Sequence, residues 1–545
     1  MRTRRIGATV DEKKPLRQVK VLLLKDGLPS LESALKLDEH GGLPKKYPLA
    51  GHVPFVGAVY ASPVSVKTPD WLPFLSEGME AAPDIKTSTA SAVLLLTSPA
   101  GHKFALTFGY GRYLVSPISY VRDFGIRVAL NSLDPEQIRS VDMRRVEGLT
   151  VTTRRQASRA SGLPTFGVNK RHDLIQSVAG LPEDETLGKR FEGSDAFTLA
   201  TYVDFDDLGA KCDELYALYE ADTYTKEFAF VDNLRVVREP ERIAELDTKL
   251  EEALDADDLA KMHLAQPEAE SLADINSYRY TARGPEHLEL DAADMIAERR
   301  AAELPLTTEA LSNQYVRVSY GHQPGHDLAK WPLYDCIVFE TQDAEGNVFM
   351  LSAGVWHRAS KEFVDEVNAQ LATVPTCDIV FPNAYEGEHE GDYNIRAAQM
   401  LGCACTDRQN VRLPNQTPIE LCDLMTDLGQ LVHVKRKTQS ATLSHLFNQG
   451  LVSAELLLQA RPFREASRAV LVELDPEMAE LVPLDGFDPA TFEVVYAIVA
   501  SPGTELPASL PLFSKITLAE TSTLMQGMGY KVTTALVATQ PQPPG

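Results

Sequence analysis

The stretch whose reading decides the fold is IELCDLMTDLGQLVHVKRKTQS, Ile419 to Ser440. It reads as two short strands around a turn, with an acid in the first and a basic cluster in the second. Strand alternation puts Leu421 and Asp423 on one face and Glu420 and Cys422 on the other. On the second strand, His433 and Lys435 share a face while Val432 and Val434 point into apolar surroundings. If the strands pair as a hairpin, Asp423, His433 and Lys435 converge. The alternative is an ordinary hairpin with a charged rim.

Upstream, EGEHEGDYNIRAAQML reads as a helix with Glu388, Glu390 or Asp392 in its first turn. Downstream, SATLSHLFNQG reads as a second helix: Ser440 is the expected N-cap, Leu443, Leu446 and Phe447 the buried stripe, and Gly450 the stop. The order helix, strand, hairpin, strand, helix resembles the core of the PD-(D/E)XK nuclease superfamily, which carries an acid on one strand and Glu-x-Lys on the next. The resemblance implies that Glu390 and Asp423 hold Mg²⁺ or Mn²⁺ and that Lys435 contacts the scissile phosphate. Carboxylate oxygens suit such a hard cation, which lowers the pKa of a bound water. His433 stands where glutamate is expected, and is expected to complete or tune the metal shell. Imidazole removes one negative charge and offers nitrogen in place of oxygen, which weakens Mg²⁺ and favours Mn²⁺ or Zn²⁺. By alternation Glu420 faces away from His433 and does not stand in for the missing acid. Asp407 lies near the end of the preceding strand. A lone histidine on a strand is, against this, more often a hydrogen-bonded structural residue.

Arg436 and Lys437 extend the basic run at the head of a helix, where backbone amides also favour anions, so a phosphate is expected there. A second basic segment runs from Arg139 to Arg171, a local inversion in a chain of net charge −24. Within it Arg154, Arg155, Arg159, Lys170 and Arg171 are candidates for a non-specific phosphate grip; the alternative is a solvated face that balances acidic neighbours. Phe166 is its only aromatic residue, so base stacking has little support. The net charge itself argues against coating nucleic acid through a long-range field.

At 545 residues, 44% hydrophobic and 24% charged, the chain is globular and too long for one ordinary core. The expected fold is mixed α/β in two domains, residues 1–238 and 307–540, joined by an acidic helical connector over 239–306. The connector rests on EPERIAELDTKLEEALDADDLAK, where Ile243, Leu246, Leu250 and Leu254 recur at helical spacing with acids between. Its acidic face would brace the domains or dock a protein partner. The chain on to Leu306 reads as more helix. YDCIVFETQDAEGNVFMLSAG then reads as a hairpin and KEFVDEVNAQLATV as a helix.

No apolar run is long enough for a membrane span, and no apolar stretch follows the basic N-terminus as in a secretory signal, so the expected location is cytoplasmic. The one-residue spacing of Cys403-x-Cys405, with Cys422 and His433 downstream, is unusual for structural zinc. Neither FGYGRYL nor GLPTFGVNKRHD is a P-loop or a GxGxxG turn, and no G-x-S-x-G elbow is present. No nucleotide or organic cofactor is expected.

Across most of its length the chain is similar to a sporadically distributed bacterial family of unknown function. The phrases that carry this are FGYGRYLV, FGIRVALNSLD, TTRRQASR, FEGSD, YDCIVFE, IELCDLM, LVHVKRK and SHLFNQGLVSAELL. The histidine of LVHVKRK is usual in that family's pattern. Its patchy distribution resembles that of mobile genome-defence genes, which implies work on nucleic acid, with DNA and RNA both open. The expectation is therefore a nucleic-acid-engaging protein, with metal-dependent nuclease chemistry as the sharper version. A non-catalytic sensor or scaffold using the same basic hairpin is the other.

Overall fold

A computed structural model of the chain describes residues 14–37, 42–62, 64–69, 71–81, 83–146, 150–171, 173–268, 275–320, 327–411, 419–437 and 440–542. The fold is mixed α and β.

The N-terminal part is built on a ten-stranded antiparallel sheet. Its strands follow the order Lys45–Pro48, Val56–Ala61, Ser91–Thr97, Lys103–Gly109, Leu16–Leu23, Phe197–Tyr202, Arg190–Gly193, Asp173–Pro182, β1 (Leu133–Val146) and β2 (Thr150–Ser161). A hairpin turns around Pro99-Ala100-Gly101, with Leu94 opposite Leu106. Helix α1 (Phe124–Ser132) covers one face, where Phe124 and Val128 share a core with Phe104, Leu106 and Phe197.

The middle of the chain departs from the expected connector. Helix α2 (Pro240–Asp255) forms as its spacing requires, with Leu246, Leu250 and Leu254 fully buried. The chain beyond α2 is not continuous helix: Met262–Leu264 and Ile275–Arg279 are strands, and Ala292–Ala301 is a separate helix capped by Asp291. The buried leucines of α2 share one core with Met295, Leu311, Phe339 and Trp356, so hydrophobic packing runs straight across residue 306. The reason lies in a five-stranded sheet that includes β3 (Ile337–Gln342), β4 (Val348–Ser352) and β5 (Val355–Ala359). Phe339 and Leu351 on one face pack with α2, while Val338 and Met350 on the other join the C-terminal core. Alternation within single strands thus binds segments that composition separates.

The C-terminal sheet has six strands in the order Ala384–Tyr385, β10 (Lys531–Gln540), β9 (Glu493–Ala500), β8 (Gln430–Arg436), β7 (Leu424–Met425) and β6 (Ala404–Cys405). Strands β8, β9 and β10 run parallel, and β7 is antiparallel to both β8 and β6. Helix α3 (Glu390–Leu401) precedes β6, α4 (Ser440–Gln459) comes after β8, and α5 (Leu512–Gly527) joins β9 to β10. All eight residues of β9 are buried, as a parallel strand covered on both faces demands.

Leu443, Leu446 and Phe447 form the buried stripe of α4 as expected. The side chain of Ser440, expected as its cap, lies outside the described residues. Gly450 does not stop α4, which continues to Gln459. A Cβ at Gly450 would stand 2.5 Å from the Tyr496 hydroxyl, which donates to the Phe447 carbonyl at 2.8 Å. The glycine serves close packing within the helix rather than its end. No helix among the described residues is long and apolar enough to cross a membrane.

A candidate acidic cleft at the end of strand β8

Residues 421–423 fall between two short strands, Ile419–Glu420 and β7. The first pairs with Asn410–Val411 and the second with β6 and β8, so the stretch is not one continuous strand. Asp423 sits at the break. Its amide donates to the Val432 carbonyl at 2.9 Å, and its Oδ2 accepts from the Val434 amide at 2.7 Å. The carboxylate thereby replaces a strand partner on the edge of β8. Its own carbonyl accepts from the amides of Thr406 and Asp407, at 2.8 and 3.1 Å.

These contacts bring Asp423 into a cleft of about 220 Å³ with Glu390, Asp407, Glu420 and Lys435; Arg408 and Gln449 of α4 complete its rim. Glu390 opens α3, and its Oε1 lies 2.8 Å from Lys435 Nζ. Glu420 reaches the cleft because the break at 421–423 resets the alternation that would have turned it away. Asp407 lines it as well.

Four carboxylates around one small space repel one another. Burial pushes the Asp423 carboxyl up to about 7; the Val434 hydrogen bond opposes this, while Asp407, Glu390 and Glu420 add to it. Burial, then Asp407, also raises Glu420. Among the described residues, no three His, Cys, Asp or Glu side chains stand ready as ligands of one metal ion.

The structure does not bring His433 to this cleft. Strand β8 is covered on both faces: Val432 and Val434 pack on the side of α3, while His433 faces the opposite core, its ring 6.0 Å from that of Tyr496. It is 4% exposed, its Nε2 has no hydrogen-bond partner, and burial pulls its pKa down to about 4, so it is neutral. Lys435 escapes the same face because it lies near the strand's end and its long stem reaches Glu390.

The basic residues are spread apart. Arg436 donates to the carbonyls of Tyr385 and Glu388, and Lys437 Nζ donates to the Ser509 carbonyl at 3.0 Å. On the β1–β2 hairpin, Arg154 pairs with Asp142 and Arg155 donates to the carbonyls of Phe166 and Gly167; Arg159 is exposed. Arg144, in the same run, is fully buried and donates to the Gln266 carbonyl at 2.6 Å. Lys170 and Arg171 lie elsewhere, beside a larger cavity, and Arg171 pairs with Glu366. Of the expected grip, no continuous strip forms.

A family model matches residues 19–538 of the chain. No curated protein and no solved structure gives a significant match. The chain therefore belongs to the family of unknown function DUF6119.

Proposed function

We propose that the cleft at the end of β8 is a divalent-metal-dependent phosphodiesterase site acting on nucleic acid. The observation that carries this is the meeting of four carboxylates with Lys435 in one cleft. The chain there runs α3, β6, the β7–β8 hairpin and α4, which lacks the strand between hairpin and final helix that the nuclease resemblance implies. A carboxyl raised by burial and further by its neighbours' charge is relieved of the second when a cation joins them, and oxygen donors suit Mg²⁺ or Mn²⁺. Glu390, Asp407, Glu420 and Asp423 are the residues to hold it. When bound, such an ion supplies Lewis acidity and a water ionised near neutral pH. Lys435 leaves Glu390 to steady the charged phosphate, and Asp423 orients the attacking water from an edge fixed by the Val434 amide. The acid missing at position 433 is replaced in space by Glu420, not by the histidine.

Two observations favour a second reading, a non-catalytic sensor or scaffold for nucleic acid or a protein: Lys435 is closed onto Glu390, and no ligand set is preassembled among the described residues. Labelled single- and double-stranded DNA and RNA, incubated with Mn²⁺, Mg²⁺ or EDTA, separate the two. Metal-dependent cutting that Asp423→Ala abolishes and His433→Gln spares supports the site. Retention without cutting, lost in Lys435→Ala, moves the assignment to the sensor. Cutting undiminished in Asp423→Ala overturns the site altogether.

A further inference from the structure

The acidic cleft has an open acceptor at its floor. Asp423 is 9% exposed and its Oδ2 is taken by the Val434 amide, while its Oδ1 meets no donor among the described residues and stays open to solvent. That oxygen faces the space bordered by Glu390, Asp407 and Glu420, so its partner comes from outside the chain. With every side chain ionised, the four carboxylates exceed Lys435 and Arg408 by two negative charges, which one divalent cation cancels.

What else enters is limited by size and by chemistry. Sites for small organic molecules occupy roughly 300–1,000 Å³. The cleft holds about 220 Å³, less than a nucleoside needs. None of its nine lining residues is aromatic, and Val434 is the only one with an aliphatic side chain, so a base finds no ring to stack on. A phosphate with its metal ion is the part of a nucleic acid that the space suits.

Arg408 stands where a phosphate would pass. It is exposed at the rim, and although Asp407 precedes it, it forms no ion pair among the described residues. A Cβ at Gly391 would stand 3.5 Å from Arg408 Nη2 and 3.1 Å from Asp407 Oδ2, so the unpaired guanidinium lies close to the carboxylates without joining them. Lys435, in contrast, is held by Glu390.

We propose that the cleft takes an internal phosphodiester of a polynucleotide by its backbone alone, with Arg408 on the phosphate beside the scissile one. This rests on the phosphodiesterase reading of the cleft. In the hydrolysis the oxygen of water bonds to phosphorus, the bond from phosphorus to one sugar oxygen breaks, and that oxygen takes the proton. Cutting then neither selects the flanking base nor needs a strand end.

The test offers single- and double-stranded DNA and RNA, with Mn²⁺, to the full-length protein. Each is supplied as a linear molecule, as a closed circle of the same sequence, and as a linear molecule with a run of abasic sugars. Circles and abasic runs are expected to be cut within about threefold of the linear parent, whereas a stacked base, once removed, would slow cutting by about tenfold or more. Sequenced product ends are expected to carry all four bases. Arg408→Ala is expected to raise KM about fivefold on every sequence and to reduce the slope of log KM against log salt by about 0.7–0.9, the value of one phosphate contact. Metal-dependent cutting confined to strand ends or to one base, or halted by abasic sugars, overturns this proposal and leaves the phosphodiesterase reading standing. An unchanged salt slope in Arg408→Ala overturns the part given to Arg408. No metal-dependent cutting of any of these substrates overturns the phosphodiesterase reading, and this proposal with it.

Discussion

The acidic cleft and the larger cavity beside Arg171 are built in opposite ways. The cleft draws its carboxylates and lysine from residues 390 to 435, with α4 adding only Gln449 at the rim. The cavity gathers side chains from residues 122 to 357, contributed by two sheets that meet only in the folded chain. One is a cluster of like charge; the other mixes arginines and a lysine with as many carboxylates. A local site is exposed to errors of strand register, and a distributed one is invisible until the sheets are packed.

If the cleft is catalytic, Asp423→Ala lowers metal-dependent cleavage by at least about 100-fold, roughly 3 kcal/mol of transition-state stabilisation, with circular dichroism unchanged. Equal rates in mutant and wild type would remove the cleft from one side of the comparison. Gly354→Ala strikes the other side. Its Cβ would stand 2.1 Å from Asp335 Oδ1, at φ +73°. A loss of about 2 kcal/mol in denaturant unfolding is expected, with unchanged metal-dependent cleavage.

The burial of Asp423, reinforced by its acidic neighbours, has a pH signature. Asp423 titrates near 7 in the fold and near 4 when unfolded, so between these values the folded chain holds the extra proton. Its contribution to stability is therefore favourable at low pH and declines as pH rises from about 4 to about 7. Asp423→Asn should melt higher than wild type at about pH 8 without metal, and the advantage should fade towards about pH 4. An advantage independent of pH would assign the effect to packing. The smallest effect is expected at His433, whose Nε2 has no partner to lose. His433→Leu should change stability by less than about 1 kcal/mol and leave cleavage intact, whereas a ligating histidine would not permit this.

Much of the cleft was legible before the fold. Glu390, Asp423 and Lys435 meet as their spacing in the helix, strand and hairpin suggests, and Asp407 joins them. His433 and Glu420 exchanged places for one reason each. Alternation assigns faces only along an unbroken strand, and residues 421–423 break it. It also assumes one wet face, whereas β8 is covered on both. The arginines of β1 and β2 carried no sign that Asp142 and nearby carbonyls would take Arg139, Arg154 and Arg155. Segment 262–306 read as helix from its acidic composition, yet its strands are short and buried by partners over 30 residues away, which local pattern does not report.

The strand order of the N-terminal sheet gives those arginines another meaning. Its two outer strands are Lys45–Pro48 and β2, and the outer edge of each offers backbone groups that another chain could pair with. One rim carries Lys45, Lys46 and Pro48, all exposed, and the other Arg154, Arg155 and Arg159. Charge at both margins, with proline at one, discourages edge-to-edge growth between copies of the molecule, so that a ten-stranded sheet stays finite and does not seed a fibre.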